Sequence, residues 1–228
     1  MRCDFGRLSC KECKIGGTSR LERFGEHLFR LTAIAAMATL GCTPVLTSPP
    51  TGETGDVDAC DWTRPANDWT GDGPTDGLCE EGFDEGETVP DVQIMDQNGQ
   101  TVSLWQFYGL VVAVDVSTMW CGPCQELAEG IEEVYHEYSD QGFMYLSVLP
   151  ENVDGETPEQ SDLQDWTTWF GISAPVLSDN SGWSYDLVPE QDWPNVLILD
   201  REMKVYDRRV EPADEASIIA QIEAALAD

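Results

Sequence analysis

Residues 111–124 read Val111-Val-Ala-Val-Asp115-Val116-Ser117-Thr-Met-Trp120-Cys121-Gly122-Pro123-Cys124. The first six are apolar apart from one acid, the pattern of a strand covered on both faces, because a half-exposed strand would alternate. Beyond them Leu127, Ile131, Val134 and Tyr138 recur at helical spacing, while Glu126, Glu129, Glu133 and Glu137 fall elsewhere. That spacing predicts one amphipathic helix beginning at Cys121. Two thiols three residues apart on a first helical turn can close a small disulfide ring. The leading sulfur faces backbone N–H groups that have no partner inside the helix. Those donors favour the thiolate, the form that attacks a disulfide. Cys124, one turn further in, is expected to be shielded and to act second. Zinc sites share the C-x-x-C spacing, but no second cysteine pair follows it here.

Working outward, Val92 to Met95 alternates as a strand, Asn98-Gly99 is a strong turn signal, and Thr101 to Leu104 pairs back. Phe143 to Leu149 reads as a second buried strand, and Leu163, Trp166 and Phe170 mark a second helix. A short extended piece at Pro175–Leu177, strands at Asn195–Leu199 and Lys204–Arg209, and a helix at Asp214–Leu226 complete the pattern. The fold class expected for 89–228 is α/β: a sandwich with a central mixed sheet flanked by helices and an N-terminal β-hairpin. A domain of about 140 residues buries enough surface to fold alone.

In this strand–motif–helix context the sequence resembles the thioredoxin superfamily, specifically its exported, membrane-anchored TlpA-like (redoxin) branch, over roughly Gly86 to Leu226. Gly86-Glu-Thr-Val-Pro90-Asp91 followed by Asn98 to Leu104 is similar to the hairpin of that branch, and Pro175 to Asp179 is similar to a family strand and turn. The resemblance implies catalytic roles for Cys121, Cys124 and Asp115, the last matching an acid buried beneath the active disulfide. Desolvation would raise the Asp115 pKa and fit it to take the Cys124 proton. Pro194 matches the family's cis-proline, which leaves the backbone of Trp193 free to pair with an extended substrate. Trp120, Gly122, Pro123, Trp193 and Pro194 are thereby the expected substrate-binding residues. The chain departs from the family at Gln125, Ser117 and Trp193, where a basic residue, an aromatic and a smaller side chain are usual. The Pro-x-x-x-Thr-x-x-Cys arrangement of peroxiredoxins is absent. A copper-delivering relative would have a wider cysteine spacing and a ligating histidine, whereas His136 is expected at the surface.

Charge divides the chain. The 228 residues carry 12 Lys and Arg against 43 Asp and Glu, a formal charge of −31, which argues against nucleic acid as a partner. Residues 1–41 nevertheless hold seven basic and four acidic side chains. This basic leader runs into the apolar stretch Leu31–Leu40 and then Gly41-Cys42, the pattern of an export signal. Gly41-Cys42 resembles a lipoprotein lipobox, with Cys42 as the lipidated residue. Cys3, Cys10 and Cys13 fall in the leader, so Cys60, Cys79, Cys121 and Cys124 remain, and an even remainder in an exported protein reads as two disulfides. Residues 42–88, rich in Pro, Gly, Thr and acids, are expected to form a flexible acidic tether with a Cys60–Cys79 loop inside it. Asp68 to Asp76 lacks the ligand pattern of a calcium loop and reads as solvated.

The function expected is thiol–disulfide exchange on the disulfides of exported proteins. Gly-Pro between the cysteines matches reducing thioredoxin, near −270 mV, so a reductant is expected, kept charged by a membrane electron donor. The location expected is the periplasmic side of the cell envelope, with a lipid anchor to the membrane and no metal or cofactor. The alternative is a non-catalytic binding module whose cysteines form only a structural bridge.

Overall fold

Six consecutive buried residues place β3 (Val111–Val116) in the interior of the sheet. In the computed structural model, which describes residues 60–228 apart from Asp76, β3 pairs in parallel with β4 (Phe143–Leu149) and antiparallel with β6 (Asn195–Leu199). The hairpin strands β1 (Gln93–Asp96) and β2 (Thr101–Ser103), then β5 (Val176–Ser178) and β7 (Val205–Asp207), complete a seven-stranded mixed sheet in the order β2-β1-β5-β4-β3-β6-β7. The predicted hairpin turns at Asn98-Gly99, where Gly99 takes φ +75°, a region glycine enters without strain. The basic leader, Cys3, Cys10, Cys13, the Gly41-Cys42 motif and the tether as far as residue 59 lie outside the described residues.

One face of the sheet packs Val111, Ala113, Tyr145 and Val196 against helices α1 (Gly122–Ala128), α2 (Ile131–Tyr138), α3 (Gln160–Phe170) and α5 (Glu215–Ala227). The helix expected to run on from Cys121 is broken at Gly130, whose backbone ends α1 with a hydrogen bond to Leu127 and begins α2 by accepting from Val134. A Cβ at Gly130 would stand 2.7 Å from a carboxylate oxygen of Glu215, an exposed side chain at the start of α5. The periodic apolar face survives the break because each half keeps its own buried residues, Leu127 in α1 and Ile131, Val134 and Tyr138 in α2.

The opposite face holds Val112, Val114, Val116, Trp105 and Phe107, and its cover departs from expectation. Residues 60–88 are packed rather than free. Trp62, Trp69, Leu78 and Phe83 lie against this second core. The Trp62 indole donates to Ser103 Oγ at 3.0 Å and the Trp69 indole to the buried Asp96 carboxylate at 2.6 Å. Arg64 ties the segment internally by donating to the Gly71 and Trp69 carbonyls. The tether reading therefore fails from Cys60 onward: the segment is poor in apolar residues, but its few are large aromatics with a polar atom satisfied at the far end. A short helix not predicted from the sequence, α4 (Trp183–Leu187), also covers this face. Asp179 organises it by accepting from the N–H groups of Gly182, Trp183 and Ser184.

Candidate active site

The ends of β3 and β6 bring the predicted residues together. Val116 is opposite Asn195 in the antiparallel register, so the segment leaving β3 toward Cys121 runs beside the Trp193-Pro194 segment entering β6. The Trp193–Pro194 peptide bond is cis. Cys121 is the N-cap of α1, with extended backbone, and its sulfur accepts from the Cys124 backbone N–H at 3.3 Å. Pro123 suits the first turn, where a missing N–H leaves no helical bond unmade. Cys121 and Cys124 are disulfide-bonded, their Cα atoms 5.2 Å apart. Cys121 keeps 6% of its surface and Cys124 none, so of the two only Cys121 retains any exposure to solvent. The Cys121 sulfur also lies 3.7 Å from the Trp193 carbonyl oxygen.

Asp115 is fully buried. Strand alternation places it on the face of β3 that carries Val111 and Ala113, the face covered by α1 and sharing a core with Cys124. Its Oδ1 accepts from Ser117 Oγ at 2.6 Å, and its Oδ2 has no partner among the described residues. Burial pushes the carboxyl up to about 7, against which the Ser117 hydrogen bond acts only in part. Ser147 stands opposite Asp115 on β4, and burial, with the Asp115 charge, raises the nearby Tyr145 phenol well above its ordinary value. An acid poised near neutrality in an apolar setting is suited to taking up and releasing a proton.

Trp120 is half exposed beside Cys121, Gly122 and Pro123 are exposed, and Trp193 and Pro194 are partly buried. Gln125, at the position where a basic residue is usual, turns back to donate to the Met119 carbonyl at 2.7 Å and so braces the loop before the cysteines. Cys60 and Cys79 are joined by a disulfide with Cα atoms 5.3 Å apart, and they belong to the packed N-terminal segment rather than to this site. His136 is exposed on α2, and no cluster of metal-binding side chains occurs among the described residues. Two residues of the site gave no local signal: Glu151, just past β4, and Tyr185, in α4. They meet Trp120 across 31 and Trp193 across eight positions of sequence through contacts that only the folded chain creates.

Comparison with known proteins bears on this geometry. The AhpC/TSA family profile matches residues 86–208. The thiol-disulfide oxidoreductase ResA of Bacillus thuringiensis subsp. konkukian is 22% identical over 129 residues, covering 55% of this chain and 69% of the relative. A crystal structure from Chlorobium tepidum, described as a thiol:disulfide interchange protein DsbE, superposes with TM-score 0.54 at 27% identity, covering 63% of this chain and 98% of that one. The thioredoxin domain of a thiol-disulfide oxidoreductase from Bacteroides vulgatus, at 19% identity and TM-score 0.52, shares the fold over 62% of this chain and 96% of its own. The sandwich is therefore thioredoxin-like.

Proposed function

The chain belongs to the AhpC/TSA family, and from that premise we propose that it is a thioredoxin-like thiol–disulfide oxidoreductase that reduces disulfides in other proteins through Cys121 and Cys124. The observation that carries this reading is the placement of the Cys121 sulfur. It sits at a helix N-terminus, accepts the Cys124 N–H, and lies 3.7 Å from the carbonyl oxygen of Trp193. In the reduced protein the Cys121 thiolate attacks a substrate disulfide, forms a mixed disulfide and releases one substrate thiolate. Cys124 then passes its proton to the Asp115 carboxylate and attacks the Cys121 sulfur. The second substrate sulfur leaves and takes up a proton, and the Cys121–Cys124 bridge is restored. Two electrons move from the protein dithiol to the substrate disulfide. An extended substrate strand would lie along Trp193, with Trp120, Gly122, Pro123 and Pro194 around the exchanging sulfurs.

Val114, four positions before Thr118, stands where the peroxiredoxin arrangement has proline, which favours disulfide exchange over peroxide reduction within this family. We further propose export of the chain by its basic leader, lipidation at Cys42, and recharging by a membrane electron donor. No helix among the described residues is long and apolar enough to cross a membrane, so the leader and Cys42 carry that part of the reading. Insulin reduction with dithiothreitol tests the activity, and trapping with Cys124→Ser tests the order of attack: adducts on Cys121 are expected. Adducts forming with Cys121→Ser but not with Cys124→Ser would reverse the roles. For the direction, equilibration with glutathione is expected to give a potential below about −180 mV; a higher value overturns the reductant reading.

A further inference from the structure

Both carboxylate oxygens of Glu151 are taken by aromatic donors from different parts of the chain. The Trp120 indole donates to Oε2 at 2.7 Å, and the Tyr185 hydroxyl donates to Oε1 at 2.9 Å. The Tyr185 ring then meets Trp193 edge-on, with centroids 6.1 Å apart and planes at 73°. The Trp193 carbonyl comes back to within 3.7 Å of the Cys121 sulfur. The backbone adds a further link, since the Met119 N–H donates to the Glu151 carbonyl at 3.0 Å. A path of contacts thus leaves Trp120, the residue before the exchanging cysteine, and returns to that cysteine through Trp193.

Core packing does not account for this arrangement. Trp120 is 51% exposed, so its ring gains little from burial, yet a charge-assisted hydrogen bond holds it in one pose. Fixing an exposed ring removes rotamer freedom and contributes little to folding. Its effect falls on whatever approaches Cys121, because an apolar surface already held in its bound pose loses no further freedom when a partner covers it. Tyr185 keeps its proton throughout, because burial and Glu151 push its hydroxyl up to about 12. Val153, half exposed two residues beyond Glu151, extends the apolar character of the same loop.

We propose that Glu151 is a positioning residue that holds Trp120 and Tyr185 as an aromatic collar around the Cys121 sulfur. The collar selects extended, disulfide-bearing segments that carry a bulky apolar side chain next to their cysteine. This names the substrate class of the exchange reaction proposed above and rests on that reading.

The test oxidises the reduced full-length protein in single turnovers with two peptide disulfides that differ only in the residue beside cysteine, phenylalanine or glycine. Each turnover moves two electrons from the protein dithiol to the peptide, leaving the Cys121–Cys124 bridge and two peptide thiols. In the wild type, kcat/KM is expected to favour the phenylalanine peptide about tenfold. In Glu151→Ala the preference should fall to about twofold or less, with a change in tryptophan fluorescence as Trp120 is released. Glu151→Gln should keep most of it, because the amide oxygen accepts from Trp120 while the amide nitrogen donates to the Tyr185 hydroxyl. If the alanine variant does not fold, Tyr185→Phe removes one of the two donors and should lower the same ratio. A wild type without preference, or a glutamine variant that behaves like alanine, overturns the collar. Failure of the wild type to react with either peptide overturns the exchange reading itself.

Discussion

Among the described residues two disulfides have nearly equal span, 5.3 Å between Cα atoms at Cys60–Cys79 and 5.2 Å at Cys121–Cys124, and they sit in different surroundings. The first joins residues 19 apart in a segment with few apolar side chains, and Cys79 is exposed. The second joins residues three apart at a helix start, buried, with a backbone donor on one sulfur and an acid on the strand below. The bond is the same in both. What the exchange proposed above requires is a stabilised thiolate and a route for its proton, and the Cys121–Cys124 site supplies a backbone N–H on one sulfur and a buried acid on β3. In the proposed reaction the long loop makes Cys60–Cys79 a staple, and the helix N-terminus makes Cys121–Cys124 a reagent.

That contrast breaks most sharply on the nucleophile. Cys121→Ser is expected to lower insulin reduction by more than about a thousandfold, whereas the Cys60→Ser/Cys79→Ser pair should stay within about twofold of wild type in the same assay, since it lies outside the site. Stability should divide the other way. Losing the Cys60–Cys79 bridge should cost about 3 kcal/mol in the chain-entropy model, read from urea unfolding. Asp115 sharpens the comparison through pH. Its carboxyl rises from 3.8 to about 7 on folding, so between those values the folded protein holds a proton that the unfolded chain has lost. Stability therefore falls as pH rises through that window, and the full penalty is present above about pH 7. Asp115→Asn should flatten the change between pH 5 and 8 by roughly 2–3 kcal/mol, while slowing resolution of the mixed disulfide by Cys124 at neutral pH. The smallest effect belongs to the N-terminal segment. Trp69→Phe removes one indole donor from Asp96, which keeps the Asn98 and Gln100 N–H groups, so about 1 kcal/mol is expected by thermal unfolding, with exchange unaltered.

The parts of this molecule legible in the sequence are those whose physics is local. β3 declares itself because both its faces are covered, the cysteine pair because three-residue spacing fits one helical turn, and the hairpin because Asn98-Gly99 supplies the turn. The break at Gly130 is invisible to periodicity, since the apolar residues of α1 and α2 continue one another's phase. Five-residue α4 is too short to show a period and depends on Asp179 outside it. The cover formed by residues 60–88 was hidden because its affinity is concentrated in two indoles whose partners lie 27 to 41 positions away. In the site, Asp115 could be placed because its position before Cys121 matches the buried acid of the family the sequence resembles, whereas Glu151 and Tyr185 meet only across the folded structure.

Gly86 to Val89 do more than lead into the sheet. The Gly86 N–H donates to the Val205 carbonyl, the Val205 N–H to the Glu87 carbonyl, and the Val89 N–H to the Met203 carbonyl. At the other side of the sheet, Asn67 donates to the Thr101 carbonyl of β2. One stretch of chain thus occupies backbone groups along both outermost strands, the groups through which sheets of separate molecules join edge to edge and aggregate. A fragment cut at Val89, where strand periodicity alone would begin the domain, would keep the cysteine pair but open the outer side of β7. Copies of that fragment are expected to join along the opened edge.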